Sequence, residues 1–92
     1  MSGFDWDDYN REHVLDHGVE PHEAESALED PDALGAEAQN RGEQRWAVLG
    51  ATEEGRLLVV VFTRRGSLVR VVTARQASAN EGHRYRKRRK RA

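Results

Sequence analysis

Six arginines, Arg45, Arg56, Arg64, Arg65, Arg70 and Arg75, stand between positions 45 and 75 with no lysine among them. A guanidinium grips phosphate through two parallel N–H bonds and stacks on base faces, which an ammonium does not do. Trp46 and Tyr85 add aromatic surfaces on which exposed bases could stack. Residue type and spacing therefore point toward a phosphodiester backbone. A metal site has less support. His13 and His17 are four apart, with Asp16 nearby and His22 beyond, but no H-E-x-x-H pattern or third fixed ligand accompanies them. Neither a metal nor another cofactor is expected. The chain has no cysteine, no glycine-rich phosphate loop and no G-x-S-x-G elbow.

Strands are expected to carry these arginines. RWAVLGA (45–51), RLLVVVFTR (56–64) and LVRVVTAR (68–75) read as three strands separated by turns at 53–55 and 65–67, hence an antiparallel meander. Residues 33–43 could hold a further edge strand, a loop, or both. Strict alternation in the last strand puts Val69, Val71 and Thr73 on one face and Arg70, Val72 and Ala74 on the other. Before the sheet, Asp7 or Asp8 can cap a helix running to about His17, with Gly18 just past its end. Trp6, Tyr9, His13, Val14 and His17 recur at helical spacing and make one face. Pro21 opens a second helix, with Ala24, Ala27 and Leu28 as its buried stripe, and Pro31 ends it. Ser78 and Glu81 form a capping box that opens a last helix. That helix runs into RYRKRRKRA, where repulsion among seven basic side chains in positions 84–91 is expected to fray it. The expected architecture is α+β: two N-terminal helices, an antiparallel three- or four-stranded sheet and a C-terminal helix. Residues 1–85 are expected to form one domain and 86–92 a flexible basic tail.

Net charge is −1, but it is unevenly spread. Residues 1–38 hold 12 Asp/Glu and one Arg, or −11, while residues 39–92 hold 14 Lys/Arg and four Asp/Glu, or +10. Such asymmetry suggests a basic surface for nucleic acid beside an acidic one that repels it. The alternative is that the halves neutralise each other across the fold. No apolar run approaches the ~20 residues that span a bilayer, and MSGFDWDD lacks the features of a secretory signal, so a cytoplasmic protein without membrane contact is expected.

Several short motifs occur in a telling order: Trp6-Asp7, H-G-V at 17–19, E-A at 23–24, D-P at 30–31, R-W-x-x-x-G at 45–50, G-R-L-L-V-V-V at 55–61 and R-V-V-T-A-R at 70–75. Together they resemble the BrnT family of bacterial type II toxins, over nearly the whole chain from Phe4 to about Tyr85. The resemblance implies a RelE-like ribonuclease fold and an endoribonuclease that cleaves RNA and arrests translation. It also implies a cognate antitoxin, usually a ribbon-helix-helix protein, a hetero-oligomer with it, and contact with promoter DNA only through it.

Metal-independent RNA cleavage uses the substrate's own 2′-OH as nucleophile, so the protein needs to position phosphate, stabilise charge and move protons. Arg64, Arg70 and Arg75 are expected to point toward the RNA backbone. Arg75 would lie closest to the scissile phosphate, and Arg64 not far from it across the Gly66 turn. His17, Glu43, His83 and Tyr85 are the candidates for proton transfer. Arg45, Trp46, Arg70, Arg84, Arg86, Lys87 and Arg88 are expected to bind RNA. A module that binds RNA or antitoxin without catalysis is the alternative.

Overall fold

The computed structural model describes residues 3–40 and 42–91. In chain order the elements are α1 (Asp8–Asp16), α2 (Pro21–Leu28), β1 (Leu34–Asn40), β2 (Glu43–Ala51), β3 (Leu57–Arg65), β4 (Leu68–Gln76) and α3 (Ala79–Arg91). The strands form one antiparallel sheet of four in the order β1-β2-β3-β4. The architecture is α+β. The ambiguous segment before β2 contains a strand, paired from Leu34 opposite Leu49 to Asn40 opposite Glu43.

Local chemistry explains the element ends. Asp7 caps α1: its carboxylate accepts from the Asn10 N–H at 3.1 Å, and the Asn10 side chain accepts from the Asp7 N–H at 2.8 Å. Gly18, at φ +77°, takes the left-handed conformation that ends the helix. Pro21 occupies the first turn of α2, where its missing N–H costs nothing. Ser78 and Glu81 cap α3 reciprocally, at 2.8 and 3.2 Å. The helix then continues through the basic run to Arg91, past the point where repulsion was expected to fray it. Arginine and lysine are good helix formers, and cations in the last turns face the negative end of the helix dipole.

Both α1 and α2 cover one face of the sheet. Val14, Val19, Ala24 and Ala27 from the helical layer meet Leu58, Val60, Val71 and Ala74 of β3 and β4, all fully buried, with Trp6 and Leu28 packed against them. Where α2 crosses β2 it needs a residue without a side chain, because a Cβ on Gly50 would overlap the Ala27 carbonyl oxygen. The expected face of Trp6, Tyr9, His13, Val14 and His17 divides. Val14 turns into the core with Asn10, whose amide donates to the carbonyls of Asp5 at 3.0 Å and Val71 at 2.9 Å. Tyr9, His13 and His17 point outward.

Residues 3–5 run beside β4. Phe4 pairs in parallel with Val69, through bonds from Asp5 N to Val69 O at 2.8 Å and from Val69 N to Gly3 O at 3.0 Å.

Candidate nucleic-acid interface

Strict alternation along β4 would send Arg70 and Arg75 to opposite faces, because they are five residues apart. The structure corrects this. Phe62 pairs with Val71 and Val61 with Thr73, so Val72 is an extra residue without a partner in β3. This β-bulge resets the phase of the strand. Val69 and Val71 before it and Ala74 after it all enter the core, where the expected alternation put Ala74 on the face opposite Val71. Arg70, Thr73 and Arg75 then share the outer face, which α1 and α2 leave uncovered.

Register extends that face across the sheet. Arg70 lies opposite Thr63 and Arg75 opposite Val59 on β3. On β2, Glu43 and Arg45 have the same parity as Ala47 and Leu49, the partners of Val61 and Val59. Glu43 receives two arginines there: Arg45 Nε at 2.9 Å and Arg65 Nη2 at 3.4 Å. Arg70, whose side chain is 16% exposed, reaches Asp7 at 3.0 Å and Asp5 at 3.5 Å. The Asn10 backbone N–H, with Arg70 adding to it, holds the Asp7 carboxyl below the usual carboxylate value. Arg75 binds Glu81 through two parallel bonds of 2.8 Å each. That fork, together with the Ser78 N–H, pushes Glu81 down to about 2. The outer face thus carries Arg45, Arg65 and Arg70 toward one end and Arg75 toward the other, with Ala47, Val59, Val61 and Thr73 between them.

The other candidates lie elsewhere. Arg64 pairs with Val69, while Arg75 pairs with Val59. The two arginines are therefore roughly 17 Å apart along β3 at about 3.3 Å per residue, and on opposite faces. They do not converge as the Gly66 turn had suggested. Trp46 stacks on Phe62, ring centroids 5.6 Å apart, on the face opposite Arg45. His17 caps the end of α1 in the helical layer and contacts His13 edge-on at 5.2 Å. Tyr85 is 4% exposed, and its hydroxyl donates to Asp30 Oδ2 at 2.5 Å, while that same oxygen accepts from the Ala51 N–H at 2.8 Å. This ties α3 to the chain that follows α2. His83, Arg84, Arg86, Lys87 and Arg88 are exposed on α3. Among the described residues, no group of three or more His, Asp or Glu side chains is placed to hold a metal ion, and no helix is long and apolar enough to cross a membrane.

A family model described as "Ribonuclease toxin, BrnT, of type II toxin-antitoxin system" matches residues 6–81. The chain belongs to the BrnT family. A search of curated proteins gave no match. The BrnT match takes in α1, α2 and the whole sheet, and it ends at Glu81, the residue that anchors Arg75. Membership makes this a toxin of a type II toxin–antitoxin system within a ribonuclease family, with an antitoxin as partner. Two parts of the outer face went unread in the sequence. Glu81 was hidden in a capping signal, and the Val72 bulge gives no local signal at all.

Proposed function

We propose that this BrnT-family toxin is a metal-independent endoribonuclease whose working surface is the outer face of the sheet. The observation that carries this is the bulge at Val72, which brings Arg75 onto the face already holding Arg45, Arg65 and Arg70. The order of helices and strands supports a RelE-like reading of the fold. The RNA backbone lies along β3 and β4, with Arg70 and Arg75 about 13 Å apart at ~3.3 Å per residue along β3, a span of about two nucleotides. Glu43 takes the proton of the attacking 2′-OH. The 2′-oxygen forms a bond to phosphorus, the bond from phosphorus to the 5′-oxygen breaks, and water delivers a proton to that leaving oxygen. Arg45 and Arg65 hold the Glu43 carboxylate and stabilise charge on the phosphoryl oxygens. Exposed basic side chains of α3 add affinity through phosphate contacts. The protein acts in the cytoplasm and is silenced by an antitoxin of the ribbon-helix-helix type, through which alone it meets promoter DNA.

One observation favours the non-catalytic alternative. Each arginine of the outer face already has a carboxylate partner: Glu43, Asp5 with Asp7, or Glu81. A time course on end-labelled RNA, with and without ribosomes, separates the two readings. Arg75→Ala should cut on the order of a hundredfold more slowly because the RNA backbone loses its positioning, measured well below a melting temperature that the lost Glu81 pair lowers by roughly 4–8 °C, and Arg75→Lys should restore little of the rate. Parental rates in Arg75→Ala, or loss that only tracks unfolding, would sink the proposed role of Arg75. RNA bound but uncut by the parent protein would establish the alternative.

A further inference from the structure

Two helix faces of opposite charge remain unpaired. On α1, Asp8, Glu12 and Asp16 recur every four residues and are all exposed. They form a stripe of about 12 Å at ~1.5 Å per residue. Beside it runs a ring ladder. Tyr9 and His13 have centroids 6.5 Å apart and planes 11° from parallel, and His17 follows His13 at 5.2 Å. Tyr9 is 77% exposed and Leu15 on the same helix 42%, an unusual amount of apolar surface left to water. On α3, Arg84, Lys87 and Arg88 recur at spacings of three and four and are exposed. None of these six charged residues takes part in an ion pair among the described residues. The acidic and basic halves of the chain therefore do not neutralise each other through these helices within one copy. They sit apart: α1 packs on β4 within the helical layer, whereas α3 is tied by Tyr85 to Asp30 near the end of β2.

We propose that α1 of one copy docks on α3 of a second copy. Arg84, Lys87 and Arg88 lie against the stripe of Asp8, Glu12 and Asp16 at one helix-to-helix seam, and the exposed ring of Tyr9 takes a guanidinium face. Charge complementarity commits the occupant: the acidic stripe needs a basic helix, and this chain carries one. The contact is head-to-tail, so a copy using α1 toward one neighbour keeps α3 for another. Exposed ion pairs are individually weak and screened by salt, so the association belongs to low ionic strength. It does not depend on whether the protein cuts RNA.

Light scattering on the full chain, freed of nucleic acid, is the test, at ~10 mM and ~1 M salt, where charges reach about 30 Å and about 3 Å. The average mass should rise with protein concentration at low salt and fall to that of one chain at high salt. The triple variant Asp8→Lys, Glu12→Lys, Asp16→Lys and the triple variant Arg84→Glu, Lys87→Glu, Arg88→Glu should each stay at one-chain mass. Mixed one to one, they should associate again, because each supplies the stripe that the other needs. Should either reversal unfold the protein, Asp8→Asn, Glu12→Gln, Asp16→Asn should weaken association at least tenfold on an intact fold. A parent chain that stays monomeric at low salt, a reversed variant that still self-associates, or a mixture of folded variants that stays monomeric would overturn the proposal, and so would neutral variants that associate as the parent does.

Discussion

Glu81 joins the stability of α3 to the candidate site, and Glu81→Gln tests both. A carboxyl that titrates at about 2 instead of 4.5 prefers its ionised form by about 3.4 kcal/mol, at ~1.36 kcal/mol per pH unit. Much of that does not reach folding stability. Arg75 is half exposed, so water screens the pair, and a glutamine carbonyl still accepts from the Ser78 N–H. A loss of about 1 kcal/mol remains, comparable to a good exposed ion pair. For a domain of this size it lowers Tm by roughly 4–8 °C at neutral pH. The folded value lies below the unfolded one, so this stabilisation is complete above about pH 4.5 and is lost as pH falls toward 2. Thermal melts of parent and variant from pH 7 to ~3 should show the gap shrinking by more than half. The same substitution frees Arg75 from a competing carboxylate, so RNA retention should rise while stability falls. A gap that stays constant down to pH ~3 would show that Arg75 does not hold this carboxylate, and the account of its depressed titration would be wrong.

Gly50→Ala should destabilise by about 1–3 kcal/mol or more, because the new Cβ meets the Ala27 carbonyl group, which is backbone and can give way only if α2 shifts; urea denaturation reads this, and an unchanged midpoint would mean α2 does not sit on β2 as described. Tyr85→Phe removes the bond to Asp30 and should cost roughly 1–3 kcal/mol, while RNA cleavage measured well below the melting point stays at the parental rate; a lost rate on an intact fold would return Tyr85 to the chemistry. Deleting residues 86–92 should weaken RNA binding and flatten its salt dependence without moving the cleavage positions, which a filter-binding salt series and a cleavage map would check.

The helix ends were legible because each rests on one local interaction: an Asp7 carboxylate over the first turn, a glycine at 18, a proline at 21, a Ser78/Glu81 box. The three apolar strands were legible from their β-branched runs. β1 was not, because Gly, Ala, Glu, Gln and Asn have little strand preference, and this segment is a strand through its pairing with β2. The site was the least legible part. Both Val72 and Thr73 suit a strand, so nothing in LVRVVTAR announces the extra residue. Which of them lacks a partner is decided by β3, and with it the direction of Arg75. Arg70 finds its carboxylates 65 and 63 positions earlier in the chain, at Asp5 and Asp7, a distance that no spacing rule reaches.

The N-terminal segment has a consequence for how copies of this sheet could join. Residues 3–5 take the outward N–H and C=O of Val69, and the Asn10 amide takes the outward carbonyl of Val71. The first part of the β4 edge is thereby blocked, while β1 forms the other edge of the sheet. A sheet with two open margins is a template that can add strands without end, as in fibres. Here joining margin to margin is hindered after one step, because a second β1 pairing with the first leaves outside only margins already occupied at Val69 and Val71. A fusion or truncation that pulls residues 3–5 away would remove that hindrance, and a partly blocked edge would become one that propagates.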